Sequence, residues 1–535
     1  MTRLLISLVL VGTVAGASGA RLSFNVLAEG KSTAARFDLK VNGVPWSPNP
    51  KSRNVVQFVS YHDSKRQLYV ANYASGNGAV EISLPSAADR VEISIAKGLE
   101  YTPIRAVVLG ADLEKPLNFN LKRWVNLVED GWVSADAHIH YDRFSKRADP
   151  MWFTMMRGDD LTSAHFMYLI GGKVPGEWAV QYGYGKRGEA TDGQRLITAG
   201  LEYRDGFQGH INLLGMPEIV QPVMAGRGNL PNYPTLDSVL RKTRKQGGLP
   251  TVAHGGSLGG KATVILDGVL GAPDAMEIGN SHLYSLDNWY RLMNAGFFYP
   301  PVAGTDLPNF PERDWWQPFL GGMRMYAQVG ARRDFAAFKS AVKSGRVFVT
   351  SGPIIRFKVG GQAIGSTIRI RKPMELLFEG HIESPNGVTK LELIKNGEVT
   401  DIPIRTTSTG ADFGIGRLPG STNDQRFAVT IRKPIKISAS CWLALRGRGV
   451  PIHSLKRAQL PPTPYHCSDA VAHTGVIRVI VGDQPIGTRS AKDNLAQQLR
   501  LQRDHYDQKA RYETGAQKAE MLQLFDLALE KLGKQ

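Results

Sequence analysis

Gly131-Trp132-Val133-Ser134-Ala135-Asp136-Ala137-His138-Ile139-His140 decides how the middle of this chain is read. The apolar run Trp132 to Ala135 predicts a short strand. At strand spacing, alternate side chains share a face. Asp136, His138 and His140 therefore point the same way from the strand's end. Neutral imidazole is the commonest metal-ligating side chain, so the pair is a candidate wall of a metal site. Two imidazoles at this spacing are a weak signal alone in a chain with 12 His. The residues around them strengthen it.

From about residue 130 to 350, β runs alternate with helical stretches. Leu236 to Gln246 reads as a helix closed by Gly247-Gly248, and Leu286 to Ala295 as one closed by Gly296. Asp334 caps a third, with Phe335, Phe338 and Val342 on one face and Gly345 at its stop. Strand-like runs follow each: Leu249 to Ala253, Phe297 to Ala303, Val347 to Thr350. This alternation argues for a parallel sheet or a β/α barrel. Glu202 ends the run from Leu196, His210 opens Ile211 to Gly215, His254 follows Pro250 to Ala253, and Asp306 follows Pro301 to Thr305. In a β/α barrel, catalytic groups converge at strand C-termini. His138, His140, Glu202, His210, His254 and Asp306 are therefore the candidate metal ligands. Glu277 is a candidate to orient a ligand. His165 reads as a buried, hydrogen-bonded core histidine, His282 as an incidental loop residue, and Asp142 and Asp149 as surface charges.

Residues 21–122 read as a β-sandwich. Phe37 to Val41 leads into the hairpin signal Asn42-Gly43, and Val80 to Leu84 and Val91 to Ile95 alternate cleanly. Residues 354–487 return to β, with a second hairpin signal at Asn396-Gly397. The tail, 490–535, reads as a docked helical pair with Leu495, Leu499, Leu524, Ala528 and Leu532 on apolar stripes.

The 535 residues call for three or four domains at roughly 100–200 residues each. Hydrophobic content of 42% and charged content of 21% are ordinary for a globular protein. The net charge of +17 favours acidic surfaces or anionic ligands. No basic run interleaved with aromatics appears, so nucleic acid is not an expected partner. Arg3, the apolar Leu4 to Val14 and Ser18-Gly19-Ala20 form a signal-peptide pattern over residues 1–20, too short for a membrane span. A secreted or periplasmic chain without an integral membrane segment is expected, with protein or glycan partners open. Cys441 and Cys467 either pair in that compartment or stay as buried thiols.

The motifs together resemble the PHP superfamily, named for polymerase and histidinol phosphatase. Ala135 to His140 is similar to its opening motif, and Gly200-Leu201-Glu202 with Gly209 to Gly215 to its second. Val252 to Gly256 resembles the third and Gly304-Thr305-Asp306 the last. Gly131-Trp132, the flanking β regions and the run Ser440 to Arg446 resemble the CehA/McbA (carbaryl-hydrolase-like) metallohydrolases. The resemblance implies a multidomain chain: a distorted (β/α)7 TIM-like barrel flanked by N- and C-terminal β-sandwich domains, with a helical C-terminal tail. It also implies that His138, His140 and Asp306 hold one divalent ion, that His210 and His254 hold a second, and that Glu202 bridges them. The family's last motif usually reads Asp-x-His, but Pro308 stands at its third position here. Ser145 stands where the family often has an acidic ligand. A two-metal site is therefore expected, with zinc, manganese or iron.

The expected activity is hydrolysis of an ester, carbamate or amide bond of a small molecule by a metal-activated water. Asp306 and Glu202 are the expected catalytic residues: Asp306 accepts the water proton and Glu202 sets the metal spacing. Arg143, Arg204 and Lys261 are candidates to meet an anion, and Trp315-Trp316 to wall a pocket. The alternatives are a PHP-type phosphoesterase and a catalytically degenerate binding protein.

Overall fold

The computed structural model describes residues 20–62, 67–171, 176–256, 262–279, 286–307, 319–385, 387–404, 427–449 and 470–534. Residues 1–19, where a signal peptide was expected, and Lys261, His282, Pro308, Trp315-Trp316 and Cys467 lie outside the described residues.

The strand predicted around the paired histidines is Trp132–Ile139 (β1). Its even-numbered residues Asp136 and His138, and His140 just beyond, meet the ligand groups described below. Val133, Ala135 and Ala137 instead join the large apolar cluster beneath. Six further strands carry the path on: Ser163–Ile170 (β2), Leu196–Asp205 (β3), Gly209–Leu214 (β4), Leu249–Val252 (β5), Ala275–Gly279 (β6) and Pro301–Ala303 (β7). β1, β2 and β3 pair in parallel, as do β5, β6 and β7. β4 runs antiparallel to both β3 and β5, which departs from the all-parallel alternative. The reversal uses the tight turn Gly206 to Gln208, so β3 and β4 form a hairpin with Arg204 opposite His210. The segment just past β7 reaches the end of β1 by two backbone hydrogen bonds. Asp306 N donates to His138 O (2.7 Å) and His140 N to Leu307 O (2.6 Å). On its other edge β1 pairs antiparallel with Arg324–Gln328 (β8), which pairs with Val347–Thr350 (β9).

The helices form where local signals place them. Leu236–Lys245 is capped by the Thr235 side chain accepting from Ser238 N, and Gly247 takes a left-handed φ of 87° just past its end. Asp334 caps Phe335–Lys343 through Ala337 N (2.8 Å). The run predicted to be extended from Phe297 forms a strand only over Pro301–Ala303. Pro300 and Pro301 offer no backbone N–H to a ladder.

Two sheets fill the N-terminal region. One holds Arg21–Ala28, Leu117–Arg123 and Val80–Ser83; the other holds Ala34–Val41, Arg90–Ala96, Ile104–Leu109 and Gln67–Ser75. Their inner faces share one apolar cluster around Phe24, Phe37 and Phe119. Asn42-Gly43 makes the predicted hairpin, with φ of 50° and 82° and Val41 opposite Val44. Asn396-Gly397 does the same between Lys395 and Glu398. The C-terminal β region grows out of the central sheet, for β9 pairs with Ala470–Thr474. Cys441 is buried there. The tail forms two helices, Arg489–Lys509 (α1) and Gly515–Lys534 (α2). Leu495, Leu499, Ala528 and Leu532 sink into the central cluster, so the pair is docked. Among the described residues, no helix is long and apolar enough to cross a membrane.

Candidate metal centre

Five strand ends bring the six candidate ligands to one place. His138 and His140 come from the end of β1 and Glu202 from β3. His210 sits at the start of β4, which reaches the same end because β4 is reversed. His254 and Asp306 stand just past β5 and β7. His138, His140, Glu202 and Asp306 form one group of convergent ligand atoms, and Glu202, His210 and His254 form another. The Nε2 atoms of His138 and His140 are 3.0 Å apart. His140 Nε2 lies 3.1 Å from Glu202 Oε2 and 3.2 Å from Asp306 Oδ1. The other oxygen of Glu202 lies 3.0 Å from His210 Nδ1 and 3.3 Å from His254 Nε2. One carboxylate thus faces both groups, an oxygen to each. His138, His140 and Glu202 are buried, while His210 and His254 are partly exposed. The centre therefore opens on the His210 and His254 side.

Contacts behind the ligands fix their orientation. His140 Nδ1 sits 3.0 Å from Met167 O, and His138 Nδ1 sits 3.1 Å from Glu277 Oε1. With the proton on Nδ1 in each ring, both Nε2 lone pairs turn to the centre. Glu277 also accepts from His254 N at 2.7 Å, so one carboxylate orients two ligands. Asp136 is not a ligand. It accepts from Thr305 N (2.9 Å), Thr305 Oγ1 (2.7 Å) and Gly321 N (2.9 Å), tying β1 to the segment that carries Asp306. His254 and Asp306 both hold left-handed backbone, with φ of 40° and 55°. Non-glycine residues enter that region at a cost, and such positions concentrate at functional sites.

The charges favour a cation. Burial works against ionising Glu202, yet Arg204, His210, His138 and His140 together hold its carboxyl well below the usual range. Arg204 does this by direct contact, Nε at 2.8 Å and a terminal nitrogen at 2.7 Å. Asp306, also buried, is held down by the imidazoles of His138 and His140. Burial disfavours charge on His138 as well, but Glu277 and Asp306 raise its pKa well above the ordinary value. Burial pushes His210 down to about 4, leaving a neutral ring at pH 7.

His165 stands apart from this cluster. It is buried between Ser163 Oγ (3.2 Å) and Thr198 Oγ1 (2.7 Å), a satisfied core histidine. Ser145 is exposed. Two expectations need correction. Arg143 does not wait for an anion: it is buried on Asp149 (2.8 Å), Tyr182 OH and Gly188 O. Asp149 is accordingly no surface charge. Arg204 was expected to meet an anion, and it does, but the anion is Glu202. Its position two residues along the same strand face was the available signal. Trp178, not singled out from sequence, stands 5.3 Å from the His140 ring with its N–H on Gly171 O.

No protein-family model and no curated protein matches the chain. Two solved structures align with part of it. One is the novel lesion-specific endonuclease PfuEndoQ from Pyrococcus furiosus, at 14% identity and a TM-score of 0.26. The other is Endonuclease Q in complex with a 27-mer duplex substrate with an abasic lesion at the active site, at 14% identity and a TM-score of 0.25. Each alignment covers 40% of this chain and 56% of the other. The chain thus matches little more than half the length of these proteins. A likeness this low carries no argument about function; the ligand geometry does.

Proposed function

We propose that the chain is a PHP-type metal-dependent hydrolase, exported by its leader, that cleaves ester, carbamate or amide bonds as the CehA/McbA family does. The observation that carries the reading is Glu202, buried between two ligand groups with one oxygen toward each. The donor atoms fit a metal better than they fit each other. His210 Nδ1 and Glu202 Oε1 are buried 3.0 Å apart, and neither has a hydrogen-bond partner. Buried polar groups left in this way are costly, and a cation between them satisfies both.

His138, His140 and Asp306 would hold one divalent ion, His210 and His254 a second, and Glu202 both. Imidazole with carboxylate suits zinc, manganese or iron. When bound, the ions supply Lewis acidity and an acidified water as nucleophile. Glu277 keeps the His138 proton on Nδ1. Arg204 offsets the charge of Glu202. Asp306, at the more exposed end of its group, takes the proton released in hydrolysis. The two hydrogen bonds joining the Asp306 segment to β1 support reading the seven strands as a distorted barrel, with the flanking β regions as sandwiches.

The test is metal content and turnover of aryl ester, aryl carbamate and aryl phosphate by purified protein. His138→Ala and Asp306→Asn are each expected to lower turnover by about 100-fold or more, since changes even behind metal ligands cost 10–100-fold. Full activity in both variants sinks the proposal. Turnover of the phosphate alone assigns the phosphoesterase chemistry, and tight metal binding without turnover of any substrate assigns a binding role.

A further inference from the structure

The hairpin that carries Glu202, Arg204 and His210 is gripped at its turn by the C-terminal tail. Phe207, in that turn, stacks flat on His505 of α1 (4.9 Å, 2°) and meets Tyr506 edge-on (4.8 Å). Asp205 closes the turn by accepting from Phe207 N and Gln208 N, both at 2.7 Å, and from Asn232 Nδ2 at 3.0 Å. Asn232 in turn exchanges hydrogen bonds with Arg511, which links α1 to α2. Asn232 N donates to Arg511 O (2.7 Å) and Arg511 N to Asn232 Oδ1 (2.9 Å). The Arg511 guanidinium spreads over Gly226 O and Gly228 O. His505 and Tyr506 thus meet the turn directly at Phe207, and Arg511 reaches it through Asn232, which holds Asp205 three residues from Glu202.

We propose that the C-terminal helix pair is a positioning element for one half of the metal centre. By clamping the Asp205 to Gly209 turn it sets where Glu202 and His210 stand, and so governs the Glu202, His210 and His254 half. Glu202 stands three residues before Asp205 and His210 one after Gly209, so a shift of the turn moves both ligands through the paired strands. This rests on the two-metal reading above, and its test is chosen to separate the two.

Full-length wild type, His505→Ala/Arg511→Ala and His505→Phe are compared. Two measurements are made: zinc retained after dialysis against a competing chelator, and amide exchange along both hairpin strands and β1. In the double variant the zinc equivalent of the Glu202, His210 and His254 half is expected to weaken about 10-fold, the size of effect seen for residues behind metal ligands, while the other, held also by His138, His140 and Asp306, weakens less. Exchange is expected to quicken at Gly206 to His210 and not in β1. His505→Phe keeps the flat ring and removes a buried ring nitrogen that lacks a partner, so it is expected to match wild type. Unchanged zinc binding in the double variant overturns the proposal. So does parallel weakening of both equivalents with faster exchange throughout, which marks general loosening. If wild type binds no zinc, the hydrolase reading fails, and the exchange pattern alone still decides whether the tail clamps the turn.

Discussion

Among the described residues, the four fully buried histidines fall into two electrostatic kinds, separated by what faces them. His138 and His140 face carboxylates, and although burial opposes their charge, their pKa values rise. His165 faces two hydroxyls, and burial pushes it down to about 3. His473, against Tyr290 OH and Thr474 O, is pushed to about 3 as well. The consequence for stability has a definite sign. A histidine with a folded pKa below its unfolded value is neutral in the folded protein while the unfolded chain takes up a proton. Its contribution is full above about pH 6.5 and falls as pH drops toward 3. The slope is about 1.4 kcal/mol per pH unit for each such residue. His165→Asn keeps a donor and an acceptor for Ser163 and Thr198 but cannot titrate. Denaturant unfolding at a series of pH values is expected to show the slope between about pH 6 and 4 reduced by one proton in that variant. An unchanged slope would mean that His165 already protonates in the folded protein.

At the scale of elements, the centre depends on how closely the end of β7 approaches β1. A Cβ at Gly304 would stand 2.4 Å from His138 N and 2.5 Å from His138 Cβ. The two backbones can meet there only because position 304 has no side chain, and the Asp136 bonds to Thr305 then pin the segment. Gly304→Ala is therefore expected to cost about 1–3 kcal/mol through overpacking and to weaken metal binding by moving Asp306 away from His138. The melting temperature and zinc affinity check this; two unchanged values would show that the seam has slack. Other elements were legible in the sequence because their signals are local. Asp334, Gly247, Gly345 and the two Asn-Gly pairs each act on their own few residues. The candidate ligands were legible for a related reason: each stands at an end of an apolar run. The β3–β4 reversal was not, because its Gly206 to Gln208 turn carries no Asn-Gly signature and is held by partners more than twenty residues away. The work of Asp136 was hidden likewise, since it acts through Thr305, over a hundred positions distant.

At the scale of the whole molecule, composition and alternation marked three regions but not how they interlock. The central and C-terminal regions share one run of strands through β9. The N-terminal region is joined instead by a buried polar seam. Asp159 is fully buried at its centre: its carboxylate accepts from Tyr73 OH (2.6 Å) and Arg36 Nε (3.4 Å), and its backbone oxygen from Arg324 (2.9 Å). Arg123 bridges Glu100 and Asp160 beside it, and Tyr326 OH of β8 reaches Glu100 at 3.1 Å. The Arg324 guanidinium also donates to Gly321 O, and Gly321 N donates to Asp136. The seam therefore borders the candidate metal centre through two hydrogen bonds. Asp159→Ala removes the carboxylate from a buried guanidinium, and breaking a buried pair in this way costs about 3–5 kcal/mol. Asp159→Asn keeps an oxygen for the Tyr73 hydroxyl and loses the charge, so a smaller cost of about 1–3 kcal/mol is expected. Thermal unfolding is expected to rank wild type above Asp159→Asn and that above Asp159→Ala. Equal midpoints in the three proteins would mean that water reaches the seam and that the N-terminal region is held by its apolar contacts alone.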